Sequence, residues 1–247
     1  MNKKGSTVVF YAAANCGVLY NWTKKQMKIL QGHKHVVTSI ASDKNCEWLV
    51  TSDSGPENII IIWNNADLYP QKTLFSPHGS YNTANVAMSA DAKYLLTIAY
   101  IPEGVMLHWW IWSFGWDTPH AKLELKLNRG SVIDIGFNPF LSDQFLLLTK
   151  NNIWLGISRK IVIIERGLPK ETDMYELKIT TPEKVVKPDY GRLNCYTFVQ
   201  KTGQILVGST RGSIYVYGYS IEYSEGGSPE AADYEQLRFI KVLKLEK

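Results

Sequence analysis

The stretch DSGPENIIIIW, residues 53–63, decides the fold class. It opens with a turn containing Asp, Gly and Pro, continues through four isoleucines and ends at Trp63. β-Branched runs bounded by turn residues indicate β-strands. Successive side chains of a strand point to opposite faces, so this strand is apolar on both faces. Such a strand needs cover on both sides, which predicts a fold of stacked sheets.

Similar strand patterns recur along the whole chain. The first strand of each group begins near Val36, Val86, Val132 and Cys195, at spacings of 50, 46 and 63 residues. A four-stranded unit with a period of ~40–45 residues, stretched by insertions, is typical of a β-propeller blade. The sequence therefore predicts an all-β protein, a single β-propeller over residues 1–247. Its predicted parts are a partial blade at 7–30, four full blades at about 35–76, 84–127, 131–165 and 194–245, a long inter-blade loop at 166–193 and a flexible insertion at 224–236.

The composition narrows the functional classes. The chain has 247 residues, 45% of them hydrophobic, with 27 basic and 23 acidic side chains and a net charge of +4. So small an excess of basic over acidic side chains does not indicate a nucleic-acid-binding protein. Three cysteines far apart do not indicate a disulfide framework, which favours a reducing compartment. No run reaches the ~20 apolar residues of a spanning helix. We therefore expect a cytoplasmic protein that binds neither nucleic acid nor membrane.

The segment QGHKHVVTSIA followed by WLVTSDSGPENIIIIW resembles a WD repeat. Gly32 and His33 stand where the family has its Gly-His pair, and Trp63 stands where it has Trp. The resemblance implies a buried hydrogen-bonded tetrad. Its members would be His33, a hydroxyl from Thr51 or Ser52, an acid from Asp53 or Glu57, and Trp63, with Thr51 and Asp53 preferred. No second Gly-His occurs, so we expect the other blades to depend on packing, with Trp22, Trp110 and Tyr217 at the place of Trp63.

A narrower resemblance covers residues 8–120. The segment YAAANCGVLYNWTKKQMKILQGHKHVVTSIA, with the DSGPEN turn, is similar to the cilia- and flagella-associated WD-repeat family of the calmodulin- and spoke-associated complex. That resemblance implies a scaffold in the ciliary axoneme, at the base of radial spoke 3 on doublet microtubules, that supports motility. Its partners would be other spoke or axonemal proteins, with tubulin a further candidate, in a hetero-oligomeric assembly of the cytoskeleton. The alternative is a general intracellular WD-repeat adaptor or a microtubule-associated propeller outside the spoke.

The sequence predicts no enzyme. None of the five histidines lies beside a G-x-S-x-G elbow, and no acid–base pair stands out. The pair His33 and His35 lacks Cys or carboxylate neighbours at ligand spacing, so we expect neither metal nor cofactor. Partner contacts are expected instead in loops, where binding specificity usually lies. The candidate residues are Trp116, Lys170, Lys184, Lys187 and Arg192.

A count of four full blades and one partial blade does not determine how a propeller ring would close. WD-repeat propellers usually have seven blades, so the family resemblance implies that blades are missing. Unpaired blade edges would invite association with other strands. Three arrangements remain: a segment of a larger propeller, blades completed by a partner, or five blades that close alone with LRFIKVLKL, residues 237–245, as the final strand.

Overall fold

A computed structural model of the chain describes residues 7–165, 168–182, 191–200, 202–223 and 229–244. These residues form five antiparallel sheets and no helix, which confirms the all-β class. The described part of the chain thus contains no helix that could cross a membrane. By their contacts the residues divide into two compact units. The first comprises residues 1–129 and 161–175, and the second comprises residues 130–160 and 176–247.

The first unit contains three sheets whose strands pair in chain order. Sheet 1 consists of β1 (Val8–Ala13), β2 (Cys16–Asn21) and β3 (Gln26–Gln31). Sheet 2 consists of β4 (Val37–Ser42), β5 (Trp48–Asp53), β6 (Ile59–Asn64) and β7 (Pro70–Phe75). Sheet 3 consists of β8 (Thr83–Met88), β9 (Tyr94–Ile101), β10 (Gly104–Ile111) and β11 (Ala121–Leu125).

Two further sheets have four strands each. Sheet 4 consists of β12 (Val132–Phe137), β13 (Gln144–Thr149), β14 (Ile153–Glu165) and β15 (Leu168–Thr180). Sheet 5 consists of β16 (Leu193–Phe198), β17 (Ile205–Ser209), β18 (Ser213–Tyr223) and β19 (Pro229–Lys244). In the second unit one apolar cluster joins Leu146 and Leu155 of sheet 4 to Val207 and Tyr215 of sheet 5.

The isoleucine run of β6 is covered on both faces. Ile60 and Ile62 belong to an apolar cluster with Trp110 of sheet 3, whereas Ile61 and Trp63 belong to a cluster with residues of sheet 1. The alternation of the strand therefore sends consecutive side chains into two different cores. Burying an isoleucine side chain contributes about 1.5–3 kcal/mol, so this one strand anchors both neighbouring sheets.

The predicted loop at 166–193 is wrong for Leu168–Thr180, which form β15. The blade predicted at 131–165 also extends further than expected, because its last residues belong to β14 and its fourth strand is β15. Charged residues of this segment indicate a solvated loop, yet Tyr175, Leu177 and Ile179 are half-buried and alternate with exposed neighbours. This period of two is the pattern of a strand with one solvated face.

The insertion predicted at 224–236 also differs in the structure. Residues 229–236 belong to β19, which pairs with β18 through three register shifts. Ser220, for example, lies opposite Asp233. Such bulges let a strand continue through a polar, glycine-poor segment that sequence alone assigns to a loop.

Candidate functional site

A buried hydrogen-bonded network joins the segment before β4 to β5 and β6. The Trp63 indole Nε1–H donates to Thr51 Oγ1 over 2.8 Å, and Thr51 Oγ1 lies 2.6 Å from His33 Nε2. His33 Nδ1 lies 3.1 Å from Asp53 Oδ2. The structure thus brings together all four residues of the tetrad that the sequence resemblance implies. All four are buried, and Thr51, its central member, is fully enclosed.

The order of donors along this network follows from the groups themselves. An indole N–H can only donate, so Thr51 Oγ1 accepts from Trp63. The Asp53 carboxylate beside His33 Nδ1 favours the tautomer protonated there, in which His33 Nε2 accepts the Thr51 hydrogen. His33 Nδ1 faces Asp53 Oδ2 as a close electrostatic contact outside hydrogen-bond alignment, and Asp53 Oδ1 accepts the backbone N–H of Ile59 over 2.7 Å. Burial lowers the pKa of His33, and the adjacent Asp53 carboxylate opposes that shift. His33 is therefore neutral at pH 7.

The network is suited to holding strands in place. Its four members are buried, and Trp63 lies in an apolar cluster that joins sheets 1 and 2. Each internal hydrogen bond contributes about 0.5–1.5 kcal/mol net, whereas an unmade buried bond costs more. Within the described residues, no group of three or more His, Cys, Asp or Glu side chains could hold a metal ion.

Sheet 3 contains a second network that the sequence analysis missed. The Trp110 indole Nε1–H donates to Thr97 Oγ1 over 3.0 Å, and Thr97 Oγ1 lies 2.9 Å from His78 Nε2. The expectation that the other blades depend on packing rather than on the tetrad is therefore wrong in part for sheet 3, which contains three of the four members. The motif escaped notice because His78 precedes Gly79 rather than following a glycine. The parallel between LLT in β9 and LVT in β5 is the signal that could have found it.

An acid is missing from the second network. Asp53 lies two residues after Thr51, and the residue two positions after Thr97 is Ala99. His108 takes the place beside the histidine instead: its ring stacks on His78 at 4.2 Å, and its Nδ1–H donates to the Pro77 carbonyl over 2.9 Å. Burial lowers the pKa of His78 to about 3, with the charges of His108 and Lys122 adding to the effect. Burial also lowers the pKa of His108 to about 4.

The aromatic residues expected to match Trp63 do not behave alike. Trp110 and Tyr217 are buried in their sheets, as Trp63 is. Trp22 lies beyond the end of β2 and is 61% exposed, so its predicted equivalence is wrong. The register explains the error, because sheet 1 places Tyr20 in the strand and leaves Trp22 in the following turn, edge-on to Tyr20.

The residues predicted to contact partners differ in their exposure and in their neighbours. Trp116 is 42% exposed and stacks on His120 with 4.8 Å between ring centroids. Lys170 forms an ion pair with Glu165 across the β14–β15 hairpin. Arg192 is exposed ahead of β16, where its carbonyl accepts from the Thr210 N–H. Lys184 and Lys187 lie outside the described residues.

One family model matches the chain over its full length. It is described as the CFAP251 N-terminal domain and aligns with residues 1–247. The chain belongs to this family. Two relatives named cilia- and flagella-associated protein 251 align over 96% of the chain: the mouse protein is 26% identical over 242 residues and the Tetrahymena thermophila protein 32% identical over 239. The CFAP251 family confirms the coarse prediction of a protein associated with cilia and flagella.

The chain corresponds to only part of these relatives. It covers 17% of the mouse protein and 22% of the Tetrahymena protein. Among solved structures, a chain of Kuenenia stuttgartiensis hydrazine synthase has a similar fold, with a TM-score of 0.59 over 85% of this chain and 61% of that chain. At 11% sequence identity this similarity concerns the fold alone.

Proposed function

We propose that this chain is a non-enzymatic WD-repeat scaffold of the ciliary axoneme. In this proposal its five sheets are blades of a β-propeller, four complete and one partial. Membership of the CFAP251 N-terminal domain family is the observation that carries the proposal. The His33–Thr51–Asp53–Trp63 network supports the WD-repeat part, since the WD-repeat resemblance implies that tetrad.

The proposed site of action is the base of radial spoke 3 on doublet microtubules. There the chain would contact other spoke proteins, with tubulin a further candidate, as one member of a hetero-oligomeric assembly that supports motility. Sheet 1 supports a role in assembly, because within the described residues it has three strands where the others have four. Its edge strand β1, VVFYAA, carries no charge or proline that would discourage pairing with a further strand.

Proximity labelling in motile cilia tests this proposal. The chain, fused to a biotin ligase, would be expressed as part of its full-length protein, and isolated axonemes would be washed with detergent. We expect biotinylation of proteins of the radial spoke base and retention of the fusion in the axoneme. A ligase fused to an unrelated axonemal protein provides the matched control for random labelling.

Two results would contradict the proposal. If the fusion protein is found in the detergent wash, the axoneme does not retain it, which contradicts the proposed axonemal location. Labelling of tubulin alone, together with co-sedimentation of the purified chain with microtubules that lack spoke proteins, would favour the microtubule-associated alternative.

A further inference from the structure

Sheet 1 has one face that packs on sheet 2 and one face that lies open. Leu19 and Leu30 share an apolar cluster with Leu49 and Trp63 of sheet 2, so their side of sheet 1 is the packed one. Side chains alternate along each strand, and the residues between these positions therefore point the other way. The open face of sheet 1 is defined here by six residues in two cross-strand rows: Val9, Tyr20 and Met27, then Tyr11, Val18 and Ile29.

The open face consists of apolar side chains only. Four of its members are substantially exposed: Val9 at 47%, Tyr11 at 39%, Met27 at 57% and Ile29 at 46%, whereas Tyr20 is half-buried and Val18 is buried. Isolated exposed apolar residues are common, but a contiguous group on one sheet face marks an interaction site. The continuous rows of this face give an incoming polypeptide room for several apolar side chains.

The segment that contains sheet 1 carries only positive charge. Residues 1–42 contain six lysines and no acidic residue, and the first acid of the chain is Asp43. Residues 43–247 hold the other 21 basic residues and all 23 acidic ones, so the net charge of +4 originates in this first segment. Such an asymmetry steers negatively charged partners towards one region of the surface.

A fixed turn presents two of these lysines beside the open face. In the turn between β2 and β3, the Trp22 N–H donates to the Thr7 carbonyl and the Lys24 N–H donates to Asn21 Oδ1. The Lys25 ammonium lies 3.8 Å from the ring centroid of Trp22, which itself packs edge-on to Tyr20 of the open face. Apolar surface and positive rim are therefore continuous.

We propose that the open face of sheet 1 binds an acidic polypeptide segment, one that alternates bulky apolar side chains with aspartate or glutamate. The apolar side chains would cover the face and the carboxylates would meet Lys24 and Lys25. A second copy of this chain fits less well, because its own open face would bring only further positive charge. Nucleic acid also fits less well, since four of the six side chains are aliphatic or methionine and only Tyr11 and Tyr20 offer planes on which bases could stack.

This inference rests on the proposed scaffold function and assigns partner chemistry to one of its surfaces. Fluorescence anisotropy with the 247-residue chain tests it. The probes are labelled twelve-residue peptides in which leucine or valine alternates with glutamate, glutamine or lysine, a twelve-nucleotide thymidine oligomer, and phosphatidylserine vesicles. We expect the glutamate peptide to bind at least about tenfold more tightly than the glutamine peptide, with the difference shrinking in 0.5 M salt.

Two double variants locate the binding. The double variant Lys24→Glu with Lys25→Glu should bind the glutamate peptide about tenfold more weakly. Two attractions between lysine and peptide carboxylates become repulsions between carboxylates. The double variant Met27→Thr with Ile29→Thr should bind the same peptide about fivefold more weakly, because it reduces the apolar area of the open face. Threonine is chosen because it favours β-strands. The matched controls are Lys93→Glu with Lys241→Glu for charge, and Val162→Thr with Ile164→Thr for exposed apolar area. Circular dichroism checks that each variant is folded.

Three results would overturn the inference. They are equal binding of the glutamate and glutamine peptides, no binding of either peptide, and a loss of affinity in the control variants as large as that in the test variants. Tighter binding of the thymidine oligomer or of the vesicles would overturn it in favour of nucleic acid or membrane. Because these measurements use the isolated chain, their failure leaves the axonemal proposal standing. A fusion that leaves the axoneme while the peptide binding persists would instead defeat the proposed function alone.

Discussion

Replacing Thr51 by valine should destabilise the chain through hydrogen bonds alone. Thr51 Oγ1 accepts from Trp63 Nε1 over 2.8 Å and bonds His33 Nε2 over 2.6 Å. Valine keeps nearly the same shape but leaves a buried indole N–H and a buried imidazole nitrogen without partners. Each unsatisfied buried group costs about 1–3 kcal/mol, so we expect the free energy of unfolding to fall by about 2–4 kcal/mol.

Urea unfolding followed by tryptophan fluorescence measures this loss. Thr38→Val is the matched control, because Thr38 is exposed and its hydroxyl makes only a 3.4 Å contact with the Ser52 carbonyl. Its effect should stay within about 0.5 kcal/mol. Thr97→Val, at the centre of the second network, should be as damaging as Thr51→Val. A loss from Thr51→Val no larger than that from Thr38→Val would refute the view that the network holds sheet 2 together.

Three further predictions follow from buried side chains. His33→Ala should lower the free energy of unfolding by roughly 1–3 kcal/mol, and an unchanged melting temperature would count against the network. The depressed pKa values of His78 and His108, about 3 and about 4, mean that the unfolded chain binds protons below pH 6.5 while the folded chain does not. The stability that these two histidines contribute is complete above pH 6.5. It is lost as the pH falls towards about 4 for His108 and about 3 for His78, with a slope of about 1.4 kcal/mol per pH unit for each histidine. A double variant, His78→Gln with His108→Gln, should flatten that part of the stability curve, and an unaltered slope would be inconsistent with neutral buried rings. Gly156→Ala should cost about 1–3 kcal/mol, because the added Cβ would overlap the ring of Phe145 opposite it. Phe145→Leu in the same chain should recover part of that loss, which a double-mutant cycle would measure.

The sequence was sufficient for the parts of the fold that follow from short-range pattern. The β6 run predicted a strand covered on both faces, and the structure divides its side chains between two clusters. Two residues of the first network were also predictable, because the family pattern gives His33 and Trp63 at fixed places in one repeat. The choices of Thr51 over Ser52 and of Asp53 over Glu57 were settled only by their contacts with His33.

The parts that sequence reasoning missed depend on contacts between distant residues. His78 reaches Thr97 from a turn 19 residues earlier, and nothing in the local sequence fixes that approach. Strand β15 was mistaken for a loop because its charged side chains are as numerous as those of a solvated segment. Trp22 was misplaced by a small difference in where β2 ends, which moves the ring from the core to the surface.

The position of this chain in the axoneme is the most direct test of the proposed function. A small tag placed in the exposed turn at residues 102–103 of the chain, within the full-length protein, can be located by electron cryo-tomography and subtomogram averaging of intact axonemes. The scaffold proposal predicts additional density at the base of radial spoke 3 on every doublet. Density elsewhere along the microtubule lattice, or no ordered density in axonemes that retain the tagged protein, would contradict it.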